Sequence, residues 1–435
     1  MREIWAGLSP DLQDALIALA LLAPGLAAGA LVLRGLAPFG LVRAMLRRFA
    51  WVNLLFVLLI AVSVGLGVGL VAQERGLRQG SARAAEGFDL IVAAPGSEVT
   101  VMLAAVYLQP SDMALLTGAQ YDEIATAEGV AFAAPIAFGD SVDGAPVVGT
   151  TPDFVTHLAG DLAEGSIFAT EAEAVAGAFA PVGPGDSFTP AHGHGAAAEG
   201  EAHAGFSYTV TGRMAPTGSP WDRAVLVPAE SVWSVHGLAN GHAPGDDRIG
   251  PPYDPVYMPG TPAVLVRATE LWGNYALKSR FTRSDMMAFF PGTVLAQLHG
   301  LMGEVRAAMS ALATLTQVLV TLSVLIGLVI LVRLIARSLA VLRALGAPVR
   351  FVFAVVWSYS AALILTGAAA GLVLGLGAAR ALAALITVRT DVLVTARLGW
   401  SELHLVAGFV SLTLILALLP AWAAIRRPVL ADLRN

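Results

Sequence analysis

The chain has 435 residues, of which 56% are hydrophobic and 13% are charged, and it carries a formal net charge of −6 and a mean hydropathy of +0.71. This composition excludes an ordinary soluble domain and predicts an integral membrane protein. Cysteine is absent, which excludes disulfides, thiolate metal sites and a cysteine nucleophile. The only lysine, Lys278, does not follow a glycine-rich segment, so a nucleotide-binding P-loop is excluded as well.

Long apolar blocks indicate the membrane-spanning helices. They cover residues 15–33, 51–72, 308–332, 351–378 and 403–424, and about 20 apolar residues suffice to cross a bilayer as a helix. The first block contains Pro24, which predicts a kink. A cleaved signal peptide is the alternative for this block, although the segment before it is acidic, whereas a signal peptide starts with a basic region.

The predicted fold is an α-helical integral membrane protein with four core transmembrane helices, an extra N-terminal helix, and a large mixed α/β extracytoplasmic domain inserted after the first core helix. Strand-like runs in the polar region, such as residues 89–94, 208–212, 224–228 and 263–268, support the mixed domain. Helical segments that continue out of the membrane on both sides of this region predict a helical stalk. The predicted divisions are an extra helix and Arg-rich linker (1–50), core helix 1 (51–73), the α/β domain on its stalk (74–306), core helix 2 (307–333), a cytoplasmic loop (334–350), core helix 3 (351–379), an extracytoplasmic loop (380–402), core helix 4 (403–424) and a cytoplasmic tail (425–435).

Arginine predicts the orientation, because short loops rich in arginine stay in the cytoplasm. Three groups of arginines lie within residues 34–48, 333–350 and 426–434. If all the blocks span, these groups share one side, and the N-terminus and the polar region lie on the other. The composition is compatible with a bacterial inner (plasma) membrane, with the large domain in the periplasm or outside. The acidic balance of that domain argues against nucleic acid as a partner.

The segment from Arg333 to Phe353, RLIARSLAVLRALGAPVRFVF, predicts a helix that leaves the membrane, turns at Gly346 and Pro348, and re-enters. From charge alone, a plain cytoplasmic hairpin is an equally good interpretation.

Within this segment, AVLRALGAPVRFVF resembles the hallmark of the MacB/FtsX-type permeases of ATP-binding cassette transporters. FDLIVAAPGSEVTVMLAAVYLQP, YTVTGRMAPTGSPWDRAVLVPAESVWSVHG and PAWAAIRRPVLADLRN resemble the start and middle of the family's external domain and its C-terminal tail. The resemblance extends from about residue 43 to the end, and the N-terminal helix is an addition to it. One departure is that Ser338 and Leu339 stand where the family has an acidic residue in an Arg-x-x-Glu-Ile pattern.

The resemblance implies a coupling helix seated on a separate ATPase, which would bind ATP and Mg. It assigns the coupling role to Arg337, Leu342, Arg343, Ala344, Leu345 and Gly346. It also implies a second copy of the chain as a partner. The other expected partners are the lipid bilayer and a periplasmic adaptor or binding protein. No ATPase activity is expected in this chain itself.

Small residues recur at four-residue spacing in two core helices, and such spacing lets helices approach closely in lipid. They are Gly65 and Gly69 in the first core helix, and Gly367, Gly371 and Gly375 in the third. Packing within one subunit, packing between two subunits, and a lipid-facing position all remain open.

The loop PAHGHGAAAEGEAHAGF is the candidate metal site. Its ligand-type residues are His192, His194, His203, Glu199 and Glu201, and imidazoles with carboxylates suit zinc, nickel or copper(II). A disordered polar insertion is the alternative. His236 and His242 are further candidates for this site, although nothing in the sequence places them beside the loop.

Two functional hypotheses follow. The first is a permease that exports or extracts an amphiphile, lipid-linked molecule, haem-like compound or peptide. The second is a mechanotransmitting membrane protein that regulates an extracytoplasmic partner without moving a substrate. An enzyme is not expected, because the sequence contains neither HExxH nor GxSxG.

Overall fold

The computed structural model describes residues 5, 7–109, 112–193, 205–334, 336–390 and 392–426. The chain forms two compact units. The helical unit comprises Met1–Gly76, Gly303–Ala384 and Thr395–Asn435, and the α/β unit comprises Leu77–Met302 and Leu385–Val394.

Helices occupy both ends of the chain, and strands occupy its middle. The first elements are α1 (Pro10–Leu33), α2 (Phe39–Arg48), α3 (Ala50–Ala85), β1 (Leu90–Ala93), α4 (Glu98–Ala105), α5 (Gly118–Ala125), β2 (Val130–Pro135), β3 (Ala137–Val142), β4 (Ala145–Thr150) and α6 (Pro152–Ala159). They are followed by β5 (Glu164–Gly165), β6 (Glu173–Ala176), β7 (Ser187–Phe188), β8 (Ala191–His192), β9 (Tyr208–Arg213), β10 (Val225–Pro228), α7 (Ala229–Val235), β11 (Ala263–Ala268), α8 (Gly273–Phe281) and β12 (Met287–Phe289). The last elements are α9 (Pro291–Leu334), α10 (Ala336–Ala344), α11 (Val349–Thr390), α12 (Trp400–Leu416) and α13 (Leu418–Ile425).

Four helical segments in the described part of the chain are long and apolar enough to cross a membrane. They are α1, α3, α11 and the consecutive pair α12 and α13. The remaining predicted block, residues 308–332, lies within α9, which contains the shorter apolar segment Thr314–Ile330. The structure thus contains four helices that could span a membrane and a large mixed α/β region, as expected for a membrane protein with a large domain.

The N-terminal helix α1 packs against α12 within the helical unit. Near Pro24, the Gly25 amide donates a hydrogen bond of 3.0 Å to Ser411 Oγ on α12. At the start of both helices, Trp400 Nε1 donates to Asp11 Oδ1 at 2.9 Å. The two helices therefore run parallel, and a serine hydroxyl serves the backbone beside the proline, as is usual where a proline interrupts a membrane helix.

The smaller sheet of the α/β unit has the strand order β12-β1-β11-β2, and its paired strands are antiparallel. Every residue of β1 is buried, from Leu90 to Ala93, and Leu90 lies opposite Val266 of β11. A short, continuous apolar run of this kind is typical of a strand covered on both faces.

The larger sheet has eight strands in the order β5-β9-β6-β10-β4-β3-β8, with β7 paired to β9. The β3–β4 hairpin turns at Asp143 and Gly144, which have φ values of 48° and 80°. An Asp-Gly pair with two positive φ angles is the sequence that a tight hairpin turn requires. This hairpin sets β3 beside the edge strand β8.

The four strands predicted from sequence correspond to β1, β9, β10 and β11. In the apolar core of the α/β unit, Trp221 has its ring centroid 5.2 Å from that of Phe154 and 5.9 Å from that of Phe88. Rings at this spacing add packing energy beyond their buried area.

Candidate functional site

A short helix with a defined C-terminal turn separates two long helices of the helical unit. After α10, the Gly346 amide donates to Arg343 O at 3.0 Å, and the Ala347 amide donates to Leu342 O at 3.0 Å. Gly346 has a φ of 97°. These two bonds and the left-handed glycine define a Schellman cap, which explains why the chain has Leu-Gly where α10 ends.

One face of α10 and its turn is exposed. Arg337, Val341, Ala344 and Leu345 are all exposed, and Leu345 keeps 80% of its surface accessible. The spacing of these residues (i, i+4, i+7, i+8) places them on one helical face. On the opposite face, Leu339 is buried in the apolar core of the unit.

The structure gives the predicted coupling residues three different positions. Arg337, Ala344 and Leu345 lie on the exposed face. Leu342 packs against the apolar core and Arg343 is half-buried, whereas Gly346 forms the turn. Val341 belongs to the exposed face and was missing from the predicted set. Helical periodicity from Arg337 would have identified Val341. It was missed because the predicted set followed the sequence motif and not the helical face.

The arginine-rich ends of several helices meet at one end of the helical unit. A cavity of about 600 Å³ is lined by Leu31 of α1, Val349 and Arg350 of α11, and Ile425 of α13, among others. The end of α1, the start of α11 and the end of α13 therefore lie together. In the sequence, Arg34 and Arg426 directly follow two of these helix ends, and Arg350 belongs to the third.

All five predicted packing glycines lie where α3 and α11 contact each other. A Cβ atom on Gly371 would stand 2.8 Å from Ala61 O, and a Cβ atom on Gly375 would stand 2.9 Å from Gly65 Cα. Gly367 makes a similarly close approach to Ile60, whereas a Cβ atom on Gly69 would be in ordinary van der Waals contact with Gly375. The two helix backbones therefore approach so closely that larger residues do not fit.

A buried ion pair joins α3 to the start of α12. Arg75 donates to both carboxylate oxygens of Glu402, at 2.9 and 2.6 Å, and the Gly399 amide donates to the same carboxylate at 3.0 Å. The Glu402 side chain is 0% exposed and that of Arg75 is 27% exposed. Sequence reasoning missed this pair, because 327 residues separate its members.

A second cluster, in the α/β unit, has the chemistry of a metal site. It consists of Asp140 on β3, His192 on β8, and His236 just after α7, and its ligand atoms all lie within 4.8 Å of one another. Asp140 Oδ1 is 3.6 Å from His192 Nδ1 and 3.6 Å from His236 Nε2. The group is therefore able to hold a metal ion.

Strand register and a helix end bring the three residues together. Asp140 and His192 are direct partners in the antiparallel pairing of β3 with β8. His236 Nδ1 lies 2.7 Å from Val232 O, one turn back in α7. A hydrogen bond from Nδ1–H to this carbonyl leaves Nε2 as the nitrogen that faces Asp140. A Cβ atom at Gly139 would stand 2.7 Å from His236 Cε1, so a residue without a side chain is required there.

The predicted metal ligands are only partly covered by the structure. His192 belongs to the cluster. His194, Glu199, Glu201 and His203 lie outside the described residues. Asp140 was not predicted, and His236 is brought to His192 only by the fold, since no sequence spacing signals that contact.

Known protein families give these sites no further assignment. No family model matches the chain, and no curated protein matches it. The MacB/FtsX-type resemblance therefore rests on the sequence motifs, and its functional implications are proposals.

His242 belongs to a different, fully buried group around Glu230. Glu230 Oε1 accepts a hydrogen bond of 2.5 Å from the Gly250 amide and lies 3.5 Å from His242 Nε2. Burial raises the pKa of Glu230 above its ordinary value, and its hydrogen bonds only partly oppose that effect. Burial likewise raises the pKa of the neighbouring Tyr253. Both groups are enclosed, so we assign them a structural role.

Proposed function

We propose that this chain is the membrane-spanning permease subunit of an ATP-binding cassette transporter, and that it works with a separate ATPase that hydrolyses ATP with Mg. The observation that carries the proposal is the exposed face of α10. Along the chain, α10 lies between the long helices α9 and α11. The chain has no P-loop lysine of its own, so the energy source must be another polypeptide.

The exposed face has the chemistry of a docking surface. Leu345 and Val341 expose apolar side chains beside the guanidinium of Arg337. Burying a leucine side chain in a protein interface contributes about 1.5–3 kcal/mol, and arginine binds carboxylates through two parallel hydrogen bonds. An ATPase with an apolar groove and an acidic rim fits this combination.

The same helix is firmly joined to the rest of the helical unit. Leu339 and Ala340 are buried, and Leu342 packs against the same apolar core. The Schellman cap at Gly346 then leads into α11 within three residues. Movement of a docked ATPase would therefore displace α11 instead of bending a loose loop.

In the proposed arrangement the arginine-rich end faces the cytoplasm of a bacterium and the α/β unit lies in the periplasm or outside. Along the chain, α3, α9 and α11 each continue from one unit into the other. Helical continuity supports force transmission to the external domain and export or extraction of an amphiphile, lipid-linked molecule, haem-like compound or peptide. The functional assembly would contain a second copy of the chain and a periplasmic adaptor or binding protein.

Copurification tests the proposal. We expect an ATPase to copurify with the tagged parent in mild detergent and to be lost from Leu345→Asp and Val341→Asp. Leu271→Asp is the matched control, because Leu271 is 74% exposed but lies in the α/β unit. An ATPase that stays with Leu345→Asp, or that is absent from an intact parent preparation, would refute the proposal.

A further inference from the structure

We propose that Asp140, His192 and His236 bind one divalent transition-metal ion, with zinc as the representative ion. The inference uses only residues of the α/β unit. It does not depend on the proposed ATPase coupling, and its test can therefore succeed or fail independently.

The distances between the ligand atoms suit a shared ion. In a tetrahedral zinc site with bonds of 2.0–2.1 Å, neighbouring ligand atoms are about 3.3 Å apart. Asp140 Oδ1 lies 3.6 Å from a nitrogen of each imidazole. These two separations are longer than a good hydrogen bond and are within a few tenths of an ångström of the spacing in a zinc site, while all the ligand atoms of the group lie within 4.8 Å of one another.

The ligand types select the class of metal. Two imidazoles and one carboxylate are typical of zinc and of other transition metals, whereas Mg²⁺ and Ca²⁺ require mostly oxygen ligands. The Asp140 side chain is 0% exposed. A carboxylate and neutral imidazoles are the forms in which these side chains coordinate a metal ion.

The site is also preorganised. The carbonyl of Val232 holds the His236 ring through Nδ1, which is the type of second hydrogen bond that orients metal-binding histidines. The Gly193 amide donates to Gly139 O at 3.1 Å, so the backbone beside both other ligands is fixed. Ion binding therefore requires little rearrangement of the protein.

Access to the site is through the imidazoles. The side chains of His192 and His236 are 43% and 26% exposed, whereas Asp140 forms the buried floor. An ion can enter over the two rings. The described part of the chain supplies three protein ligands, whereas a closed structural zinc site has four. The bound ion would tie the edge strand β8 to β3 and to the end of α7.

Zinc titration of the full-length protein in detergent, followed by calorimetry, tests the inference. We expect one zinc per chain for the parent, and binding weakened by more than about 100-fold in Asp140→Asn and His236→Gln, since even loss of a supporting hydrogen bond costs 10–100-fold. Magnesium chloride should not compete. His299→Gln is the matched histidine control, because His299 lies in the same unit outside the cluster.

A loop variant separates this site from the site predicted from sequence. A protein with His194, Glu199, Glu201 and His203 all changed to alanine should still bind zinc as the parent does. Loss of binding in that variant, together with retention in Asp140→Asn, would overturn the inference.

X-ray absorption of the zinc-loaded parent tests the site without any substitution, so its result does not depend on a variant being folded. We expect nitrogen and oxygen neighbours at about 2.0–2.1 Å and scattering from two imidazoles. A zinc ion with no imidazole neighbour, or a parent that binds no zinc, would refute the proposed site.

Discussion

Replacing Arg75 by methionine is expected to destabilise the helical unit by about 3 kcal/mol, at the lower end of the usual 3–5 kcal/mol for breaking a buried ion pair. The change leaves the fully buried Glu402 carboxylate without its two guanidinium hydrogen bonds, while the Gly399 amide continues to donate to it. That remaining bond is the reason for the lower value.

The reciprocal change is expected to cost less. Glu402→Gln keeps the side-chain volume and an oxygen for the Gly399 amide, and it leaves a positive charge on Arg75, which is 27% exposed and reaches water. We expect a loss of about 1–2 kcal/mol, typical of one charged hydrogen-bond partner. The predicted order, Arg75→Met worse than Glu402→Gln, follows directly from the unequal burial of the two side chains.

The free energy of unfolding in mixed detergent micelles measures both effects. Arg43→Met is the control, since Arg43 is exposed and surface changes usually stay within about 0.5 kcal/mol. The double variant should lose less stability than the sum of the two single variants, because it removes both charges and leaves no buried charge unpaired. If both single variants stay within 0.5 kcal/mol of the parent, or if Glu402→Gln is the worse of the two, the reasoning is wrong.

Three further changes test other parts of the structure by thermal unfolding in detergent. Gly375→Val should strongly destabilise the helical unit, because a Cβ atom at this position meets Gly65. Gly377→Val in the same helix should change the stability little, because a Cβ atom there meets open space. Equal effects of the two variants would contradict the α3–α11 contact. Gly346→Ala should lower the free energy of unfolding by about 1–2 kcal/mol, the usual penalty for a residue with a side chain in the left-handed conformation. An unchanged stability would exclude the Schellman cap. The pKa of Glu230 is raised in the folded protein, so between its unfolded and folded pKa values only the unfolded chain loses the proton, and stability falls as pH rises through that window. The advantage of Glu230→Gln over the parent should therefore grow from pH 4 to pH 8, and a constant difference would count against a protonated, buried Glu230.

Local sequence patterns predicted the long apolar helices and the strands β1, β9, β10 and β11, since apolar runs and alternation depend on neighbouring residues. The Leu-Gly end of α10 was also readable, because a helix cap is a local feature. The face of α10 that carries Val341 could have been predicted from helical periodicity alone. The sequence motif instead pointed to Leu342, which is partly buried and packs against the apolar core.

The metal cluster could be predicted only in part. His192 was recognisable as a ligand type within a histidine-bearing loop. Its partners come from the hairpin strand β3 and from the end of α7, so their proximity depends on strand register and on helix packing. A single sequence contains no local signal for such long-range pairings, and the same holds for Arg75 and Glu402.

Site-specific photo-crosslinking from α10 tests the central claim most directly. The experiment uses cells that contain the protein together with its native partner proteins. A photoreactive amino acid at position 345 or 341 should form a crosslink to an ATP-binding cassette ATPase. The same probe at position 271 should not. ATPase crosslinks from positions 345 and 341, but not from position 271, would support a permease that the ATPase drives through α10. If an intact protein gives no ATPase crosslink from either α10 position, the proposed coupling surface is contradicted.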